Sequence, residues 1–226
     1  MKSIIPEERI LFQNEACMVI NKLCGESSEF PNVKPEDIFP VHRLDMPVSG
    51  CLLLARTGKA AAFLSAAFAD ARKVKRHYWA IIEKSQAANA LPPEGELIHW
   101  LYEDRKINKS FAVLAGEENP PLRHNRVKPK KAVLCYRMTG QGKNYFFLEI
   151  ELVTGRHHQI RAQLAALGLH IKGDLKYGAK RSEKAGGIRL HAYSISFPNP
   201  LKANETIEVK AMPAMDPLWE AFASSL

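Results

Sequence analysis

Three short stretches of this chain gather residue types that do chemistry. In VHRLDMPVSGCLLLART, His42, Arg43 and Asp45 stand directly before Cys51-Leu52-Leu53-Leu54-Ala55, an apolar run that has to be buried. A charge beside a core strand is costly to desolvate unless something pairs with it, so Asp45 is either half of a structural ion pair or a working carboxylate. In Thr154-Gly155-Arg156-His157-His158-Gln159-Ile160-Arg161, a strand ending in Thr-Gly passes into a helix. The free backbone N–H groups there form a natural seat for phosphate, and Arg156, His157, Gln159 and Arg161 add donors around it. Adjacent histidines on a helix point about 100° apart, and no H-x-x-x-H pair is present, so no metal is expected. Tyr78, in KRHYWA, stands where a basic run meets a strand. It is a core or rim tyrosine with its hydroxyl satisfied, or a ring that stacks on a base or serves as an acid/base group. Arg161 is among the candidate partners for Asp45; a nearby opposite charge favours the carboxylate and keeps it available as nucleophile or base.

The elements that must position these residues follow from patterning. Arg9 to Phe12 and Cys17 to Ile20 predict a hairpin with its turn near Asn14-Glu15, and Cys24 to Pro40 a surface loop. A strand is expected at Cys51 to Ala55, with Asp45 held at the end of that core strand. Thr57 then caps a helix in which Phe63 and Ala67, and Leu64 and Phe68, fall at i, i+4. His77 to Ile82 predicts a strand rich in aromatic and branched residues. Lys84 to Leu122 is low in periodicity and is expected to be an irregular edge insertion. Phe146, Leu148, Ile150 and Leu152 alternate as in a half-buried strand, and Ile160, Leu164 and Leu167 mark a helix stopped by Gly168. Strands at Leu190 to Phe197 and Thr206 to Ala211 flank a Pro198-Asn199-Pro200 turn, and Asp216-Pro217 opens a closing helix. Strands outnumber helices and several are joined by short turns, which predicts an α+β domain with a largely antiparallel sheet.

Bulk properties narrow the class. The 226 residues, 46% hydrophobic and 25% charged, describe an ordinary globular chain long enough for a sizeable core. No apolar run approaches the roughly 18 residues of a membrane span, and the start lacks a signal-peptide core, so a cytoplasmic protein is expected. Cys17, Cys24, Cys51 and Cys135 are scattered and read as free thiols, with Cys51 and Cys135 as small buried hydrophobes. The net charge of +8 is concentrated. Pro121 to Arg137 holds six basic residues and no acid, and Thr154 to His191 holds eight against Asp174 and Glu183. The second run includes Lys172 and Lys176 and is interleaved with Tyr177, His157 and His158. Two runs of one sign with aromatic residues between them point to nucleic acid.

HRLDMPVSGCLLLART, KRHYWAII, LVTGRHHQIRAQLAALGLHIKGDLKYG and RLHAYSISFPNP occur in the order and spacing of the RluA-like family of RNA pseudouridine synthases. They resemble its HRLD motif, its tyrosine motif, its TGR-x-HQIR segment with the following GD-x-x-YG, and its LHA-x-x-x-x-F-x-P motif. The resemblance spans Val41 to Pro200, with Asn21-Lys22 before Cys24-Gly25 a looser match to the family's start. It implies a single pseudouridine-synthase-type catalytic domain over 1–226, an α+β fold whose mixed, largely antiparallel central sheet carries flanking helices and loops, without a separate S4-type RNA-binding module. It further implies an isomerase acting on uridine in ribosomal or transfer RNA, without cofactor or metal. Asp45 takes the place of the nucleophile or charge-stabilising carboxylate, Tyr78 packs on a flipped-out base and is a candidate for proton removal at C5, and Arg161 pairs with the aspartate. Arg43, His42, Arg156, His157, His158, Gln159, Lys172, Lys176 and Tyr177 are the RNA-binding candidates, and a monomer is the default. His157 stands where the family usually has threonine, Gln163 where histidine is frequent, and Leu175-Lys176 where Pro-Leu is common. The competing class is an RNA-binding protein of the same fold without catalysis; a phosphate hydrolase would need a P-loop, which is absent.

Overall fold

The computed structural model describes residues 5–29, 38–114, 128–184 and 186–226. They group into two compact units, Met1–Tyr78 with Leu190–Asp216, and Trp79–Arg189 with Pro217–Leu226.

In the first unit, β1 (Ile10–Gln13) and β2 (Cys17–Lys22) form the expected antiparallel hairpin. The Asn14 side chain closes its turn, accepting hydrogen bonds from the backbone of Ala16 and Cys17, both at 2.9 Å. β2 runs antiparallel to β4 (Ser49–Ala55), whose last residues also meet the two-residue β3 (Phe39–Pro40). β4 is buried from Gly50 to Ala55, which explains its unbroken apolar run. On its other side it runs parallel to β10 (Leu190–Pro198), His191 facing Ser49 and Ala192 facing Gly50. Only glycine fits there, since a Cβ on Gly50 would lie 2.3 Å from the Ala192 carbonyl oxygen. β11 (Thr206–Lys210) pairs antiparallel with β10, which is also next to β5 (Lys75–Glu83) in the sheet order.

Thr57 Oγ1 accepts a hydrogen bond from Ala60 N at 3.1 Å and caps α1 (Gly58–Ala69). The helix packs Ala60, Leu64 and Ala67 on Leu53, Ile195, Phe197 and Val209. Cutting Leu64 or Phe197, both fully buried, to alanine would cost about 2–5 kcal/mol. The buried stripe runs through Ala60, Leu64 and Ala67, and Phe63, one turn before Ala67, is exposed.

The second unit holds β6 (Glu94–Asp104), β7 (Lys109–Leu114), β8 (Lys130–Gln141) and β9 (Tyr145–Leu152), ordered β9-β8-β6-β7 and antiparallel throughout. The short α2 (Gln86–Asn89) precedes them. The region expected to be irregular is therefore a long hairpin over 94–114. Apolar residues occupy both of its faces, Leu101 buried and Ile98, Trp100 and Phe111 exposed, and this blurs the period of two. Arg123 and Arg126, in the first basic run, lie outside the described residues. Cys135 is half-buried rather than buried, set between Glu96 and Glu151 across the neighbouring strands. α3 (Gln159–Ala166) ends where Gly168 takes a positive φ of 69°, and α4 (Pro217–Ala223) seats Phe222 on Trp79 and Phe147, ring centroids 4.8 and 5.3 Å away.

Candidate active site

Asp45 lies in the loop before β4, not at a strand end. Pro47 has no N–H to give a ladder, so pairing begins only after it; Val48 N instead donates to Asp45 O at 3.0 Å, closing a turn. Four groups pin this loop. Ser28, buried, accepts from Leu44 N at 3.0 Å and donates to Leu44 O at 2.9 Å. Lys22, fully buried at the end of β2, donates through Nζ to the carbonyls of Val48 at 2.7 Å, Leu23 at 2.9 Å and Met46 at 3.3 Å. Gly25 N donates to Met46 O at 2.7 Å. His42 Nε2 accepts from Leu53 N at 2.9 Å, and its ring stacks on Phe68 at 4.8 Å.

The electrostatics of this unit bear on its protons. Burial, helped by the charge of Arg76, pushes His42 down to about 3, so the ring is neutral and its Nε2 is an acceptor. Burial lowers Lys22 to about 8, against the opposing charges of Cys24, Glu26 and Asp45. Burial lifts Tyr78 to about 12; Arg76 pulls it down and the negative charges of Asp45 and Cys51 push it up. Tyr78 is thus a neutral phenol within the field of Asp45. Arg76, two residues earlier on the same face of β5, lies 5.8 Å over the Phe68 ring. Asp45 is half-exposed and Arg43 is exposed, and among the described residues Arg43 makes no side-chain hydrogen bond or ion pair. A carboxylate on a clamped loop, beside an available guanidinium and in the field of a buried phenol, can engage a phosphate-bearing substrate and attack or stabilise charge on it.

Lys22, Ser28 and Arg76 were not singled out from the sequence as site residues. Lys22 had a signal: a lysine closing an apolar strand must find carbonyls. Arg76 had one too, its i, i+2 relation to Tyr78. Ser28 lies in a stretch without periodicity and had none.

In the second unit, Thr154 to Arg161 wraps the start of α3. Gln159, expected to face RNA, is buried and closes the turn: its Oε1 accepts from Thr154 Oγ1 at 2.8 Å and Arg156 N at 3.0 Å, and its Nε2 donates to Val133 O at 3.0 Å. His158 takes the left-handed region, φ 52°, and sets Nδ1 3.0 Å from the buried Tyr177 hydroxyl. That hydroxyl also accepts from Ser110 N at 2.9 Å and donates to Ser110 O at 3.1 Å. His157 bridges Ser110 Oγ at 2.8 Å and Asn108 Oδ1 at 3.0 Å while stacking on His158. Lys172 is paired with Glu183, which also takes Arg189 at 2.9 Å. Arg161, 5% exposed, grips Asp174 with two hydrogen bonds, 2.7 and 2.8 Å, under the Tyr177 ring. Arg156 and Lys176 are exposed, though Arg156 Nε donates to Lys131 O at 3.1 Å and Lys176 Nζ to Asn108 O at 2.9 Å. The structure thus gives His42, His158, Gln159 and Tyr177 internal partners where the sequence suggested RNA contacts, because backbone groups nearby need them buried. Among the described residues no three His, Cys, Asp or Glu gather as metal ligands, and no helix is long and apolar enough to cross a membrane.

The α+β fold, a large mixed sheet with few helices, is that of a known class of RNA-modifying isomerase. The chain belongs to the RNA pseudouridylate synthase family, which matches residues 10–166, and within it to the RluA-like enzymes. It is 34% identical to an uncharacterised RNA pseudouridine synthase of Zymomonas mobilis over 88% of this chain and 78% of that one. It is 28% identical to tRNA pseudouridine synthase C of Vibrio parahaemolyticus, covering 95% and 93%, and 26% identical to that organism's dual-specificity RNA pseudouridine synthase RluA, covering 86% and 79%. The solved structure of human RNA pseudouridylate synthase domain containing 1 shares the fold, with a TM-score of 0.71 at 21% identity over 96% of this chain and 86% of that one.

Proposed function

We propose that this isomerase converts uridine to pseudouridine in ribosomal or transfer RNA, with Asp45 as its nucleophile. The observation that carries this is the loop itself: Lys22, Ser28 and His42 fix the backbone around Asp45 while its carboxylate stays half-exposed and acts electrostatically on Tyr78. In the reaction the N1–C1′ bond of the nucleotide breaks, the base turns, and a C5–C1′ bond forms; the C5 proton leaves and N1 takes one up, so atoms balance without a co-reactant. A carboxylate held on a rigid element meets the detached fragment in a fixed geometry. Tyr78, lifted to about 12, works as a neutral phenol whose ring packs on the flipped base; so high a value leaves little phenolate to take the C5 proton at neutral pH. Arg161 enters through its place in the HQIR motif, and Arg43 through its exposed guanidinium, which suits a phosphate.

The test maps pseudouridine in total RNA from cells with and without the gene, then restores wild type or Asp45→Asn. A site lost on deletion and returned only by the wild type is expected, and purified Asp45→Asn should lose at least about 10³-fold in rate while still binding RNA. If no site changes and the wild type binds RNA without isomerising it, the chain is instead a binding protein of this fold.

A further inference from the structure

The reaction leaves one charged feature of the first unit unused. Successive side chains of a strand alternate, so Lys75 and His77 on β5 face away from Arg76 and Tyr78. On that opposite side they line a groove with Lys73 and Arg72, which follow α1, with Ser194 and Ser196 on β10, and with Thr206 and Glu208 on β11. Lys73 and Lys75 are exposed and make no close ion pair among the described residues, although the nearby Asp70 carboxylate attracts Lys73. Arg72 is held by Asp70 at 3.2 Å, and the one lining carboxylate, Glu208, has Lys210 at 3.7 Å. Ser194 and Ser196 add hydroxyls along the same groove wall, and neither side chain makes a hydrogen bond among the described residues. Exposed ammonium groups and hydroxyls along one groove are donors that an anionic strand can use.

We propose that this groove binds phosphate groups of an RNA strand, as a contact separate from the Asp45 loop. The proposal rests on the reading of the chain as an enzyme acting on RNA. Its donors form rows and do not converge on one point: Lys75 and His77, like Ser194 and Ser196, are two residues apart, about 7 Å along a strand. Rows of cations and hydroxyls suit successive phosphates of a strand better than a single ion.

The experiment measures anisotropy of a labelled oligouridine across a salt series for wild type, Lys73→Gln/Lys75→Gln, Glu208→Gln and Asp45→Asn. All the groove side chains changed are exposed, so unchanged thermal unfolding should confirm intact folds. The double variant should shrink the slope of log affinity on log salt by about 2, one per lysine, and Glu208→Gln should tighten binding. An unchanged slope overturns the proposal. So does an inorganic phosphate titration that moves the His77 ring NMR signals while the RNA slope stays put, which would make the groove a site for free anions. The catalytic assignment fails separately: if the wild type makes no pseudouridine but the double variant still loses slope, the groove stands without it.

Discussion

The Asp45 loop and the Thr154 to Arg161 segment carry the same kinds of residue, yet the fold uses them in opposite ways. Around Asp45 the clamping falls to a few inward groups, Lys22, Ser28 and His42, which bond almost entirely to backbone. Arg43 is left toward solvent, and Asp45 stays half-exposed. Around α3 the polar side chains satisfy one another: His157 on Asn108 and Ser110, His158 on Tyr177, Gln159 on Thr154, and Arg161 on Asp174. A dense polar motif is therefore no measure of what a segment offers a substrate; the number of groups left after internal bonding is.

Breaking the buried pair of the second unit should show the largest stability effect. Arg161→Met, which leaves the 1% exposed Asp174 carboxylate without its guanidinium, should cost about 3–5 kcal/mol in urea unfolding, and Asp174→Asn, which breaks the same pair, up to as much. Asp45→Asn, in a half-exposed loop, should cost less than either, and an equal loss at Asp45 would abolish the contrast. Acid should act on the first unit through His42 and His191, held at about 3 and about 4 against an ordinary 6.5. Both folded values are depressed, so as pH falls below 6.5 the unfolded chain takes up protons that the folded rings refuse. Stability should drop by up to about 1.4 kcal/mol per pH unit for each histidine until its folded value is reached. Urea midpoints from pH 6.5 to 4.5 should be flatter for His42→Asn, and an unchanged slope would contradict the burial of that ring. The smallest effects separate the segments most cleanly. His158→Ala removes one of the hydrogen bonds at the buried Tyr177 hydroxyl, which keeps Ser110, and should lower stability by about 0.5–1.5 kcal/mol with the RNA salt slope unchanged. Arg43→Ala should do the reverse, lowering that slope by about 1 with the melting temperature intact.

Local signals made much of the fold legible. The hairpin at Asn14, the Thr57 cap, the Gly168 stop and the Pro198 turn each depend on residues adjacent in sequence. The β6–β7 hairpin was not, since exposed Ile98 and Trp100 alternate with buried His99 and Leu101 and both faces look alike in one dimension. Within the site, Asp45, Tyr78 and Arg161 stood out by motif, whereas Lys22 and Ser28 did not, because their roles exist only once the Asp45 loop folds back onto the end of β2.

By itself the sequence determined the class of element at each motif, the family, and the excess of positive charge, all of which are written in local order and composition. Tertiary structure alone decided which polar groups remain available. His42 and Gln159 became structural because a backbone N–H of β4 and a turn at β8 would otherwise be buried without partners. Arg43 stayed exposed, with no side-chain hydrogen bond or ion pair among the described residues. Hydrogen-bond satisfaction is settled by groups far apart in the chain, and no window of sequence contains both of them.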